Sequence, residues 1–155
     1  MALRGDRDPL SYDVSYFCDT AGEAGGILSI VTAGSGVSLD DTNNVVAYHA
    51  TGSGVTAVGL QLEDVVNRDL TKTHLNYYKN EVQIGDKVPV MREGWIVTNM
   101  VLGTPTAASV AYLGNSGFIS TSRTNSAWPT VGQFLGSKDS DGYAKVYIRL
   151  PSLGL

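Results

Sequence analysis

Glycine interrupts this sequence so often that no apolar run grows long enough for a substantial helix. Eighteen glycines, with many Ser, Thr and Asn, separate short apolar runs, and no long Leu/Ala/Glu/Lys-rich segment intervenes. That pattern predicts an all-β fold: a small β-barrel or β-sandwich of about eight or nine short strands, with an extended N-terminal arm. The 155 residues suit one domain and one core, so the expected division is an arm over 1–24 and a single β domain over 25–155.

Turn residues mark the strands. Expected strands cover 27–32, 45–50 and 55–62, divided by Gly34-Ser35-Gly36 and Gly52-Ser53-Gly54. Residues 63–80 lack alternation and read as a long connection, with one helical turn bringing Val66 and Leu70 together. Residues 85–100 read as a hairpin, with turns at Gly85-Asp86 and at Arg92-Glu93-Gly94. Pro89 cannot donate a ladder hydrogen bond, which predicts an edge or a bulge for the first hairpin strand. The second is apolar on both faces, with Ile96, Met100 and Leu102 on one and Trp95, Val97 and Val101 on the other, so cover on both sides is expected. Further strands are expected at 109–113, 117–122, 131–135 and 144–150. The last turns Ala144, Val146, Ile148 and Leu150 one way and Lys145, Tyr147 and Arg149 the other. Asp139-Ser140-Asp141-Gly142 before it is a turn.

Charge narrows the partners. The net charge of -4 and the scattering of eleven Lys and Arg offer no footprint for a phosphate backbone, so no direct nucleic-acid contact is expected. Residues 1–10 carry four charges and no apolar run, unlike a secretory signal, and no 18-residue apolar stretch suggests a membrane span. Cys18 is the only cysteine, which excludes an internal disulfide and suits a reducing compartment.

Chemistry is sparse. His49 and His74, the only histidines, stand outside metal-ligand spacings, and Cys18 has no nucleophile motif around it. No GxSxG elbow or Walker-type loop occurs, and the acids at Asp40-Asp41 and at Asp139 and Asp141 lack the EF-hand pattern. They read as solvated turn acids. Arg4-Gly5-Asp6 matches an adhesion tripeptide too short to carry an argument, and the motifs of a trimeric β-fold nucleotide hydrolase are not found. No enzymatic activity, metal or cofactor is expected.

Contact residues are a different matter. The arm mixes Arg4 and Arg7 with Tyr12, Tyr16 and Phe17, and either covers one edge of the domain or contacts a partner. The connection adds Tyr77 and Tyr78, placed outside any strand. Trp95 reads as core, and Trp128 is open between core and contact. If the arm is a contact device, residues 1–20 should be removable without loss of cooperative melting.

Four stretches carry a resemblance: residues 63–70; Lys79-Asn80-Glu81-Val82-Gln83 leading to Gly85; Glu93-Gly94-Trp95-Ile96-Val97-Thr98-Asn99; and Val131-Gly132-Gln133-Phe134-Leu135. Over residues 59–151 the chain resembles tailed-bacteriophage virion structural proteins of the capsid-decoration, or head-cement, type. The resemblance implies a β-barrel or β-sandwich that binds the major capsid protein outside an icosahedral head, often as a trimer, and reinforces it against internal DNA pressure. It brings no catalytic residues. It implies synthesis in the host cytoplasm and a final place on the capsid exterior of the virion. The alternative on the same fold is a carbohydrate- or receptor-binding module of a virion, in a tail or head fibre.

Overall fold

In the computed structural model the described residues are 2–31, 44–62, 69, 71–72, 83–124 and 126–150. They form ten strands: β1 (Asp8–Cys18), β2 (Ile27–Ile30), β3 (Val45–Ala47), β4 (Ala57–Gln61), β5 (Lys87–Thr98), β6 (Val101–Leu102), β7 (Val110–Leu113), β8 (Ile119–Ser120), β9 (Thr130–Phe134) and β10 (Ala144–Arg149). A 3-10 turn at Asn115–Gly117 is the only helical element among the described residues. The fold is all-β.

All ten strands join one sheet in the order β1-β3-β2-β4-β5-β10-β9-β7-β8-β6, and a further pairing between β1 and β5 closes the first five into a ring. Within that ring β1 and β3 run parallel, and the other neighbours run antiparallel. Two cores result. Cys18, Leu28, Val46, Val58, Val88 and Val90 form the smaller, with Tyr16, Ile30 and Tyr48 packed against it. The larger gathers residues from β2, β4, β5 and the second half of the sheet, among them Ile27, Leu60, Met91, Ile96, Ile119, Phe134, Val146 and Ile148.

β5 belongs to both cores, and this corrects the expected hairpin. Residues 87–98 are one strand of 12 residues, with no reversal at Arg92-Glu93-Gly94. The glycine there serves a close approach. Gly94 has φ +142, and a Cβ on it would run into the backbone of Asp8, Pro9 and Leu10 where β1 crosses. The section buried on both faces is also displaced. Val88, Val90 and Met91 are fully buried, Val88 and Val90 in the smaller core and Met91 in the larger. Farther along, Gly94, Ile96 and Thr98 are buried while Trp95 and Val97 are half-buried, so one face alone is covered there. Pro89 does lie near a bulge: the β1–β5 register shifts between Asp13 and Tyr16, opposite Val90 and Val88. The Asp13 carboxylate accepts the Ser15 amide at 2.8 Å inside that bulge, which fixes the extra residue locally.

The segment read as an arm contains a strand of 11 residues. β1 carries apolar side chains at alternate positions from Leu10 to Cys18, but Cys18 is its one buried residue, so pairing with β5 and β3 holds it rather than burial along its length. Leu3, buried ahead of β1, bridges Thr98, and the Arg4 amide donates to the Val97 carbonyl at 2.9 Å. Residues 2–20 therefore supply core and ladder. Those contacts argue that the segment is needed for folding.

β10 follows its expected alternation, with Ala144, Val146 and Ile148 buried and Lys145 and Arg149 exposed. The turn before it is present as well: the Gly142 amide donates to the Asp139 carbonyl at 3.1 Å, and Gly142 has φ +85. β2, β3, β4, β7 and β8 match their expected positions with shorter spans, and β9 runs 130–134 against the expected 131–135. Of the 63–80 connection, the described part is Asp69, Thr71 and Lys72, where buried Asp69 accepts the Thr71 amide at 2.9 Å and its hydroxyl at 2.6 Å. Val66 and Leu70 lie outside the described residues.

Candidate functional site

Because sequence reasoning placed contacts on the N-terminal segment, each of its side chains matters. Arg4 turns inward. Its Nη1 lies 2.9 Å from Asp139 and its Nη2 3.3 Å from Asp141, and the guanidinium sits 4.0 Å from the centre of the Tyr143 ring. This clasp ties the segment before β1 to the turn before β10. The Tyr143 amide, ahead of the Asp141 amide and Arg4, holds the Asp139 carboxyl below its ordinary value. Asp139 and Asp141 are thus partners of Arg4, and the guanidinium of the Arg4-Gly5-Asp6 tripeptide is already engaged.

Arg7 reaches the Leu62 carbonyl through Nη1 at 3.4 Å. Tyr16 packs on the smaller core, and half-buried Phe17 lies beneath Lys87, whose Nζ is 5.8 Å from the ring centre. Tyr12 alone among these candidates projects freely, at 62% exposure. Tyr77 and Tyr78 lie outside the described residues, as does His74.

The sequence reading missed Tyr12's neighbours. Leu10 is 61% exposed and Val14 46%, so three large apolar side chains at alternate positions of one strand face solvent. Ser11 and Asp13 separate them, a period-two pattern legible in the sequence. Among the described residues, backbone pairing of the second edge of β1 is confined to its end: Phe17 and Cys18 pair with β3, while 8–16 pair with β5 alone. Asp6 and Asp8 are exposed beside the stripe and Asp13 is half-exposed. Hydrogen bonding from Ser15 lowers the Asp13 carboxyl below its usual range, with Arg92 adding a smaller Coulombic contribution.

A second aromatic surface lies on β5 and β10, where Trp95 pairs with Tyr147. Both rings are tethered from within. Lys145 Nζ stands 3.8 Å from the centre of the Trp95 ring, and the Tyr147 hydroxyl donates to Glu93 at 2.9 Å. That hydrogen bond, first among the causes, raises the Tyr147 pKa. Trp95 is therefore half-buried beneath a lysine rather than a core residue, whereas Trp128 is buried.

His49 and Cys18 make structural contacts. His49 Nε2 lies 3.1 Å from the Ile30 carbonyl. Cys18 is buried with Sγ 3.0 Å from the Thr20 carbonyl, and burial pushes its thiol pKa up, away from the thiolate a nucleophile needs. No group of three or more His, Cys, Asp or Glu among the described residues could hold a metal ion. What this surface can do chemically is bind by burial. No protein-family model matches the chain, and no curated protein matches it.

Proposed function

We propose that this chain is a non-enzymatic capsid-decoration protein of a tailed phage, binding the major capsid protein on the outer surface of the head and bridging capsomers. The observation that carries the reading is the exposed Leu10, Tyr12 and Val14 stripe on a strand anchored at both ends. A decoration protein gains strength by burying surface on many equivalent sites, where repeated modest contacts add into avidity. A tyrosine flanked by aliphatic side chains is a suitable anchor for such a contact. The resemblance of residues 59–151 to head-cement proteins points the same way and favours a homo-oligomer, with a trimer preferred.

Cosedimentation with phage heads lacking the protein tests the proposal. Saturable binding at a fixed ratio to the major capsid protein supports it, and absence of binding refutes it. A second reading, a carbohydrate- or receptor-binding module of a virion, is favoured by the adjacent Trp95 and Tyr147 rings. Glycan-array binding lost in Trp95→Ala would select it.

A further inference from the structure

We infer that the partner of β1 is a groove of apolar floor and basic rim on the capsid shell, rather than the β1 strand of a second copy. The inference rests on the decoration reading and specifies its contact. The starting point is the blunted backbone edge of β1. Pro9 has no amide to donate, and the β1–β5 register shifts between Pro9 and Ser11, between Ser11 and Tyr12, and between Asp13 and Tyr16. Asp13 turns its carboxylate onto the Ser15 amide at 2.8 Å, which breaks the regular edge again. Bulges, a proline and edge charges are the means by which sheets resist strand addition. The side chains, not the ladder, are offered for contact.

Charge then selects the occupant. The stripe of Leu10, Tyr12 and Val14 is accompanied by Asp6, Asp8 and Asp13, and residues 8–16 contain no Lys or Arg. The nearby cations are turned to other work: Arg4 is held by Asp139 and Asp141, Arg7 reaches the Leu62 carbonyl, and Lys87 lies over Phe17 at the far end of the strand. Arg92 offsets Asp13 in part, while Glu93 adds a further acid that accepts from Tyr147. Bringing two such stripes together would set Asp against Asp around an apolar centre, which opposes self-association. A groove lined by apolar side chains and edged by Lys or Arg satisfies both parts of the surface.

The test uses the full chain and heads of its phage prepared without it. Tyr12→Ser removes the central anchor and Asp8→Lys reverses a rim charge, both at exposed positions, with thermal melting as the folding control. The account expects wild-type binding that weakens with added NaCl, and a loss of about tenfold or more in affinity for each variant. Wild-type binding that neither variant nor salt alters would overturn this inference and leave the decoration reading standing. No binding by the wild type would overturn both. Sedimentation of the free protein covers the competing occupant: a self-association that Tyr12→Ser dissolves would assign the stripe to a second copy and contradict the proposal.

Discussion

The Arg4 guanidinium lies 2.9 Å from the Asp139 carboxylate, so the segment preceding β1 is joined to the turn preceding β10. Hydrogen bonds from the Tyr143 and Asp141 amides and the charge of Arg4 hold the Asp139 pKa below its ordinary 3.8. A carboxyl with a depressed folded pKa contributes stability that is fully present above the unfolded value and is lost as pH falls through the folded one. Melting temperature measured through the acid range should therefore fall less steeply in Asp139→Asn than in the wild type. Both partners are solvent-exposed, so the difference should be small and should shrink further in high salt. Identical acid limbs would show that the clasp contributes nothing to stability.

Removal of residues 1–20 deletes β1, with buried Cys18 and the Tyr16 packing, together with buried Leu3. The truncated chain should lose cooperative melting by circular dichroism. A sharp transition near the wild-type temperature would mean that the ring of strands closes without β1.

Gly132 and Gly142 separate two reasons for glycine. A Cβ at Gly132 would meet the Tyr147 carbonyl oxygen and, at 3.1 Å, Ile148 Cα, both backbone atoms of the neighbouring strand. At Gly142 nothing lies within 4 Å, but φ is +85. Gly132→Ala should cost about 1–3 kcal/mol or more from overpacking. Gly142→Ala should cost about 1 kcal/mol through backbone conformation alone. Urea denaturation of the two variants measures both, and equal losses would count against the crowding at Gly132.

Gln61 is fully buried beside Val90, and neither its side-chain Nε2 nor its side-chain Oε1 has a hydrogen-bond partner among the described residues. An unsatisfied buried amide is costly, and a same-sized apolar side chain removes that cost. Gln61→Met should raise stability by about 1 kcal/mol. A loss in chemical denaturation would indicate that the amide has polar partners in solution.

These positions show why the sequence was readable in some places and opaque in others. β10 was legible because its buried and exposed residues alternate without interruption. The place of β1 in the sheet was not, since pairing along an exposed surface holds it rather than burial. Arg92-Glu93-Gly94 carries the composition of a turn, but the glycine answers to β1 passing overhead, a long-range contact that local spacing does not encode. Trp95 looked like core by size and lies instead under Lys145, a pairing that the β5–β10 register creates. The Leu10, Tyr12 and Val14 alternation was visible as a pattern. Its exposure was not, because sequence does not reveal which side of a strand finds a neighbour.

Cosedimentation of the 155-residue chain with heads lacking it decides whether the capsid is its partner. The account predicts saturable binding at a fixed ratio to the major capsid protein, with image reconstruction placing β1 against the shell. Heads that pellet without the protein at every concentration would contradict it.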